Sequence, residues 1–142
     1  MKEWKEAWNE FKEKLALLVG KQKPIDHLGG RGENVAARFL RDLGYKVLIR
    51  NFKTQVGEID IIARDGDTIV FVEVKTRVGE DVAPEEQVND PKRHQITKAA
   101  KHYMARYGTP QPPARFDVIA IVWPPNRDPV IRHTQSAFEA TF

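Results

Sequence analysis

The tightest constraint on this chain is one dipeptide, Asp65-Gly66, set between alternating apolar runs at 57–63 and 68–75. Asp-Gly accepts the positive φ that a two-residue hairpin turn demands, so the segment predicts an antiparallel hairpin. With Asp65 and Gly66 as the turn, Asp60 faces Phe71 and Glu58 faces Glu73. A four-residue loop keeps that pairing, whereas a three-residue loop changes it. Side chains alternate across a strand, which puts Ile59, Ile61, Ala63, Val70, Val72 and Val74 on one wholly apolar face. That face is expected to be core. The other carries Glu58, Asp60, Ile62, Ile69, Phe71, Glu73 and Lys75.

On this second face the charges gather away from the turn. With Glu58 opposite Glu73, Asp60 is a diagonal neighbour, its Cα roughly 7–8 Å away. Two carboxylates repel by about 3 kcal/mol at ~5 Å and an effective dielectric of ~20. A divalent cation removes that repulsion, and hard oxygen ligands suit Mg²⁺ or Mn²⁺. Lys75 shares the face, where an ammonium can orient a water or stabilise phosphate charge. A Glu-x-Lys tripeptide alone is an ordinary solvated strand end. Four charged residues sharing a face with isoleucine and phenylalanine are harder to explain that way. Two further acids can join: Glu33 at the start of a helix, where the macrodipole also favours it, and Asp117 on a later strand. Asp117 reads equally as a buried functional carboxylate or as the polar end of its strand.

Around the hairpin, apolar periodicity predicts the remaining elements. Residues 2–19 form an amphipathic stripe of Trp4, Trp8, Phe11, Leu15 and Leu18. Packing on its own domain is the simpler expectation, and contact with a second copy the alternative. A glycine-rich turn, Gly29-Gly30-Arg31-Gly32, leads into a helix over 31–43 with Ala36, Phe39, Leu40 and Leu43 inward and Gly44 at C′. The glycines are no phosphate loop, because no Gly-Lys-Ser/Thr follows them. Tyr45, Val47 and Ile49 alternate as a strand up to the break at Arg50-Asn51. A polar loop over 76–91 precedes a helix over 92–107, with Ile96, Ala100, Tyr103, Met104 and Tyr107 on its stripe. A strand over 115–122 and a short one near 129–134 complete the order α-α-β-β-β-α-β(-β). Residues 1–25 are read as helix and linker, and 26–142 as one α/β domain.

Composition removes several chemistries. There is no cysteine among the 142 residues, so no thiolate nucleophile and no cysteine-based zinc site. The one serine, Ser136, has no nucleophile-elbow pattern around it. A carboxylate-pair glycosidase needs aromatic sugar platforms, and only Phe71 lies near the acids. The first residues mix Lys with Glu and lack an apolar signal core, so the expected place is the cytoplasm, with no membrane association. Net charge is only +3, yet from Lys92 to Arg115 there are six Lys or Arg, two His and no acid. Lys98 and Lys101 lie off the apolar stripe and give a positive face suited to phosphates. His94 and His102, eight apart with no third ligand at suitable spacing, make no zinc site.

Several separated motifs now occur in order: Gly32-Glu33, Gly44-Tyr45, Arg50-Asn51, Gly57-Glu58-Ile59-Asp60-Ile61-Ile62, Phe71-Val72-Glu73-Val74-Lys75-Thr76-Arg77, Arg115-Phe116-Asp117 and Ala137-Phe138. Over roughly residues 28–138 this resembles the YraN-type family of small bacterial proteins. That family is similar to the PD-(D/E)XK nucleases, nearest to archaeal Holliday-junction resolvases. The resemblance implies a restriction-endonuclease-like α/β core with a central mixed sheet flanked by helices. It implies that Asp60 and Glu73 bind Mg²⁺ or Mn²⁺, that Lys75 positions the attacking water, and that Glu33 approaches the metal from its helix. Gln95 matches a further polar position, and Ile59 stands where the superfamily pattern has Pro.

The expectation is therefore a metal-dependent endonuclease acting on DNA rather than RNA, branched DNA included. Asp60, Glu73, Lys75 and Glu33 are the catalytic candidates, with Asp60, Glu73 and Glu58 as metal ligands. Lys92, Arg93, Gln95, Lys98, Lys101 and Arg77 are the nucleic-acid contacts. Symmetrical cutting of a junction needs a two-fold dimer, for which the Trp4/Trp8 stripe is the candidate contact. The alternative from another class is a nucleic-acid-binding module that keeps the fold and does not cut.

Overall fold

A computed structural model describes residues 28–78, 88–124 and 127–140. The expected helix over 2–19, its Trp stripe, the 1–25 segment and most of the 76–91 loop lie outside the described residues. Helix α1 (Leu28–Asp42) is followed by strands β1 (Lys46–Lys53), β2 (Glu58–Asp65) and β3 (Thr68–Val78). Helix α2 (Asp90–Met104) then crosses to β4 (Ala114–Trp123), and β5 (Val130–Phe138) ends the sheet. Among the described residues, no helix is long and apolar enough to cross a membrane.

The five strands lie in sequence order. Neighbours are antiparallel except β3 and β4, which run parallel because α2 carries the chain back across the sheet. The sheet is mixed and flanked by a helix on each face, as expected. Ala36, Ala37 and Leu40 of α1 pack on Ile61, Ala63, Val70, Val72, Ile119 and Ile121. Ile96, Ala99, Ala100, Tyr103 and Met104 of α2 pack on Ile62, Ile69, Phe71, Phe116 and Val118. Both faces of β4 are covered, so Phe116–Val122 is buried without interruption. Apart from Asp117, the strand reads as an apolar run for this reason.

The helix ends follow local chemistry. Gly44, at φ 92°, closes α1 in a Schellman pattern: its N–H bonds Arg41 O at 2.9 Å, and Tyr45 N–H bonds Leu40 O at 3.0 Å. Asn89 caps α2 by accepting the Lys92 N–H at 3.0 Å, with Pro91 in the first turn. The predicted helix over 92–107 thus starts two residues earlier. Its last turn tightens into a 3₁₀ turn at Ala105–Tyr107 before Gly108 reverses the chain at φ 65°.

The hairpin corrects one expectation. Asp65 pairs with Thr68 and Ile61 with Val72, so Gly66 and Asp67 are the turn residues, not Asp65 and Gly66. Gly66 takes φ 59° at the first central position, where a II′ turn requires glycine. The register therefore moves by two, which preserves which residues share a face. One residue leaves its expected face: Ile59 joins Phe52, its β1 partner, in the core under α2. Asn51 lies between the pairs Arg50–Ile61 and Phe52–Ile59 and adopts φ 55°, a left-handed conformation that breaks the strand's alternation. The last strand is longer than the predicted 129–134. It reaches Phe138 because Ser136, at φ 49°, turns its N–H onto the Asp117 carboxylate at 3.0 Å.

Candidate functional site

The β2–β3 ladder ends at Ile61–Val72; beyond it β2 stays with β1 as far as Glu58 and β3 stays with β4 as far as Val78. The two strands thus part like a fork. Asp60 bridges the opening: its Oδ2 accepts the Val74 N–H at 2.8 Å, a donor that would otherwise have served the ladder. The shifted register brings Asp60 to Glu73, and the two carboxyls share a hydrogen bond. Glu58, expected opposite Glu73, instead sits exposed at the start of β2 opposite Lys53, although its charge still bears on Asp60 and Glu33.

Burial is the largest influence on all three inner acids. It raises the Glu73 carboxyl to about 8, with the Asp60 charge pushing the same way and Lys92 opposing. Asp60 is raised by burial as well, against the Val74 N–H and Lys92. Glu33, on α1, is raised by burial and by Asp60, while Arg50 and a hydrogen bond from Asn51 hold it down. Two buried oxygens, Glu33 Oε1 and Glu73 Oε2, have no hydrogen-bond partner among the described residues. Buried carboxylate oxygens are rarely left so. A proton shared between Asp60 and Glu73 balances part of the charge at neutral pH, and a hard cation would balance it more fully.

The helices reach the fork through two glycines. A Cβ on Gly32 would collide with Thr76 Oγ1, so glycine there lets α1 lie against β3 and carry Glu33 inward. A Cβ on Gly57 would lie 2.6 Å from the Gln95 carbonyl oxygen, so the bend before β2 admits the backbone of α2. Gln95 is exposed and meets the fork region through that carbonyl. Lys75 is half-buried on β3, and its charge helps to hold Glu73 down.

The chain has clear relatives. The family described as "Uncharacterised protein family UPF0102" matches residues 32–121. The chain belongs to the UPF0102 family. A UPF0102 protein of Geotalea uraniireducens is 46% identical over 116 residues, covering 81% of this chain and 91% of the relative. One from Nocardia farcinica is 44% identical over 124 residues, covering 87% and 98%. One from Clostridium kluyveri is 47% identical over 114 residues, covering 79% and 93%. The UPF0102 match takes in the whole fork with Glu33, Arg50, Asn51, Asp60, Glu73, Lys75 and Lys92, and stops before β5.

Of the expected phosphate contacts, Lys98 and Lys101 on α2 and Arg77 on β3 are exposed. Arg93 turns onto the Phe138 ring, 5.6 Å from its centroid, and pairs loosely with Asp90. Lys92 turns inward, its Nζ 3.7 Å from Glu73 Oε1. Neither Lys92 beside the acids nor Asn51 beside Glu33 was assigned there from sequence. The signals were present: Asn89-Asp90-Pro91 marks a helix start that puts Lys92 in its first turn, and asparagine after an alternating strand suits a left-handed residue. Among the described residues, no three His, Cys, Asp or Glu side chains gather closely enough to hold a metal ion.

Asp117 belongs elsewhere. It is fully buried under the end of α1 and accepts from Arg115 Nε at 3.1 Å, His133 Nε2 at 2.8 Å and Ser136 N. Arg115 continues to Asp65 at 3.0 Å and to the Tyr45 hydroxyl at 2.6 Å. These bonds hold the Asp117 carboxyl below its ordinary range despite its burial. The network satisfies its members and ties β2, β4 and β5 together. Arg115, counted from sequence in the basic run, is spent on it.

Proposed function

We propose that this UPF0102 chain is a divalent-metal-dependent endonuclease of the PD-(D/E)XK kind that acts on DNA in the cytoplasm. One observation carries the reading: two hydrogen-bonded carboxyls, Asp60 and Glu73, sit where β2 and β3 part, with a buried Glu73 oxygen unpartnered. Asp60 and Glu73 would hold Mg²⁺ or Mn²⁺, with Glu33 next to them on α1. When bound, such a cation supplies a water acidic enough to lose a proton near neutral pH and offsets charge on the phosphorus oxygens. Lys75, on the same strand as Glu73, would orient that water and stabilise the developing phosphate charge. Lys98 and Lys101 on the exposed side of α2, and Arg77 on β3, take the backbone phosphates.

A second reading, a nucleic-acid-binding module without cutting, is favoured by the lack of a three-acid cluster tight enough for a metal among the described residues. Cleavage of labelled single-stranded, duplex, flap and four-way-junction DNA, with Mg²⁺, Mn²⁺ or chelator, separates the two. The nuclease reading expects metal-dependent cutting by the wild type, lost in Glu73→Ala. Metal-independent binding with no cutting of any substrate would favour the module. Two-fold symmetric incisions in the junction would add the dimer that such cutting requires.

A further inference from the structure

Lys92 sits apart from the other basic residues of α2. It stands in the first turn, held by the Asn89 cap, and reaches Glu73 Oε1 at 3.7 Å. Its side chain is 33% exposed while that of Glu73 is 11% exposed, so the lysine spans from solvent to the buried acid pair. The N-terminus of a 15-residue helix adds its own positive end to the same place. Against these stands Asp60, which bears on both Glu73 and Glu33 and raises each, with Glu58 at the edge of the group. Among the described residues, Lys75 also bears on Glu73 and Arg50 on Glu33. Lys75 shares a strand with Glu73, and Arg50 faces Glu33; Lys92 alone of the three comes from α2.

We propose that Lys92 is the built-in counter-ion of the metal-free fork, and that its ammonium and a divalent cation compete for Glu73. This rests on the metal-site reading above and adds a regulatory residue to it. A lysine is suited to such a role because its ammonium is a compact charge on a flexible stem, able to leave without moving the backbone. With Lys92 docked, the acids are partly neutralised and the fold tolerates them together. With the cation bound, Lys92 is released towards solvent at the head of α2. Lys92 is thus a positioning residue for Glu73, not a ligand or a phosphate anchor.

The test is a Mn²⁺ titration of the full chain by calorimetry, beside thermal unfolding without metal. It compares wild type, Lys92→Gln, Lys92→Arg and Lys98→Gln. Competition predicts that Lys92→Gln binds Mn²⁺ about tenfold more tightly and unfolds at lower temperature without metal. Lys92→Arg keeps the charge and should stay near wild type. Lys98→Gln removes the same charge from an exposed position of the same helix and should leave the affinity unchanged. Wild type and Lys92→Gln binding equally, or Lys92→Gln binding more weakly, would overturn the competition while leaving the metal site intact. Equal tightening in Lys98→Gln would reduce Lys92 to one member of a general field and overturn it too. No Mn²⁺ binding by any of the four chains would overturn the metal-site reading itself, and the competition with it.

Discussion

Among the acids of the fork, Glu73 is the one whose carboxyl is displaced furthest from its ordinary range. Its carboxyl, ordinarily near 4.5, is pushed up to about 8 by burial and by Asp60. In the unfolded chain it ionises near its ordinary value, and in the folded chain it keeps its proton until about 8. The contribution to stability is therefore fully present below about 4.5 and is lost as pH rises towards about 8. Thermal unfolding of the metal-free protein should fall in midpoint across that window. Glu73→Gln, which cannot ionise, should flatten the fall, and an unchanged slope would show that Glu73 is not the titrating group. Asp117 is the opposite case, a buried acid held ionised by Arg115 and His133. Asp117→Ala strands both partners and should cost about 3–5 kcal/mol, lowering the unfolding midpoint by about 10 °C or more. Mn²⁺ affinity, measured below that midpoint, should be unaffected. A loss of metal binding in folded Asp117→Ala would link the two sites.

The helices meet the fork at two glycines, and this shapes what could be read in advance. The two faces of the β2–β3 hairpin were legible because alternation has a period of two, and a register error of two leaves the faces unchanged. The opposing partner was not: Asp-Gly-Asp allows the turn to be centred one residue later, and only the observed Asp65–Thr68 pair settles it. Ile59 escaped because the left-handed Asn51 sits on the neighbouring strand, where no hairpin pattern reports it. Lys92 was legible as basic, but its direction depends on how α2 packs against the sheet. That packing runs through Gly57 and the Gln95 carbonyl, a contact between residues 38 positions apart. The equivalent contact of α1 is Gly32 against Thr76. Gly32→Ala should destabilise by about 1–3 kcal/mol, as overpacking does. Adding Thr76→Ala should recover much of that loss, because the clash is with a side chain. In the Gly57 case the obstacle is backbone, and Gln95→Ala should rescue nothing in Gly57→Ala. Denaturant unfolding of the two pairs as double-mutant cycles checks both, and additive effects at Gly32 and Thr76 would refute the first.

At the scale of the whole molecule, the sheet is the device that separates two polar systems. Asp117, in register with Val72, locks β4 to β5 under α1, while Glu73, next along β3, opens into the fork. One is closed by its own partners; the other leaves oxygens buried and unpaired. That asymmetry is why the fork, and not the larger ion-pair network, is read as the working site. The most direct measurement is an anomalous difference map from crystals soaked in Mn²⁺. A peak is expected between the Asp60 and Glu73 carboxylates at the parting of β2 and β3, with Lys92 Nζ withdrawn from Glu73. A map with no peak there, or with manganese bound only at surface acids such as Glu58, would contradict it.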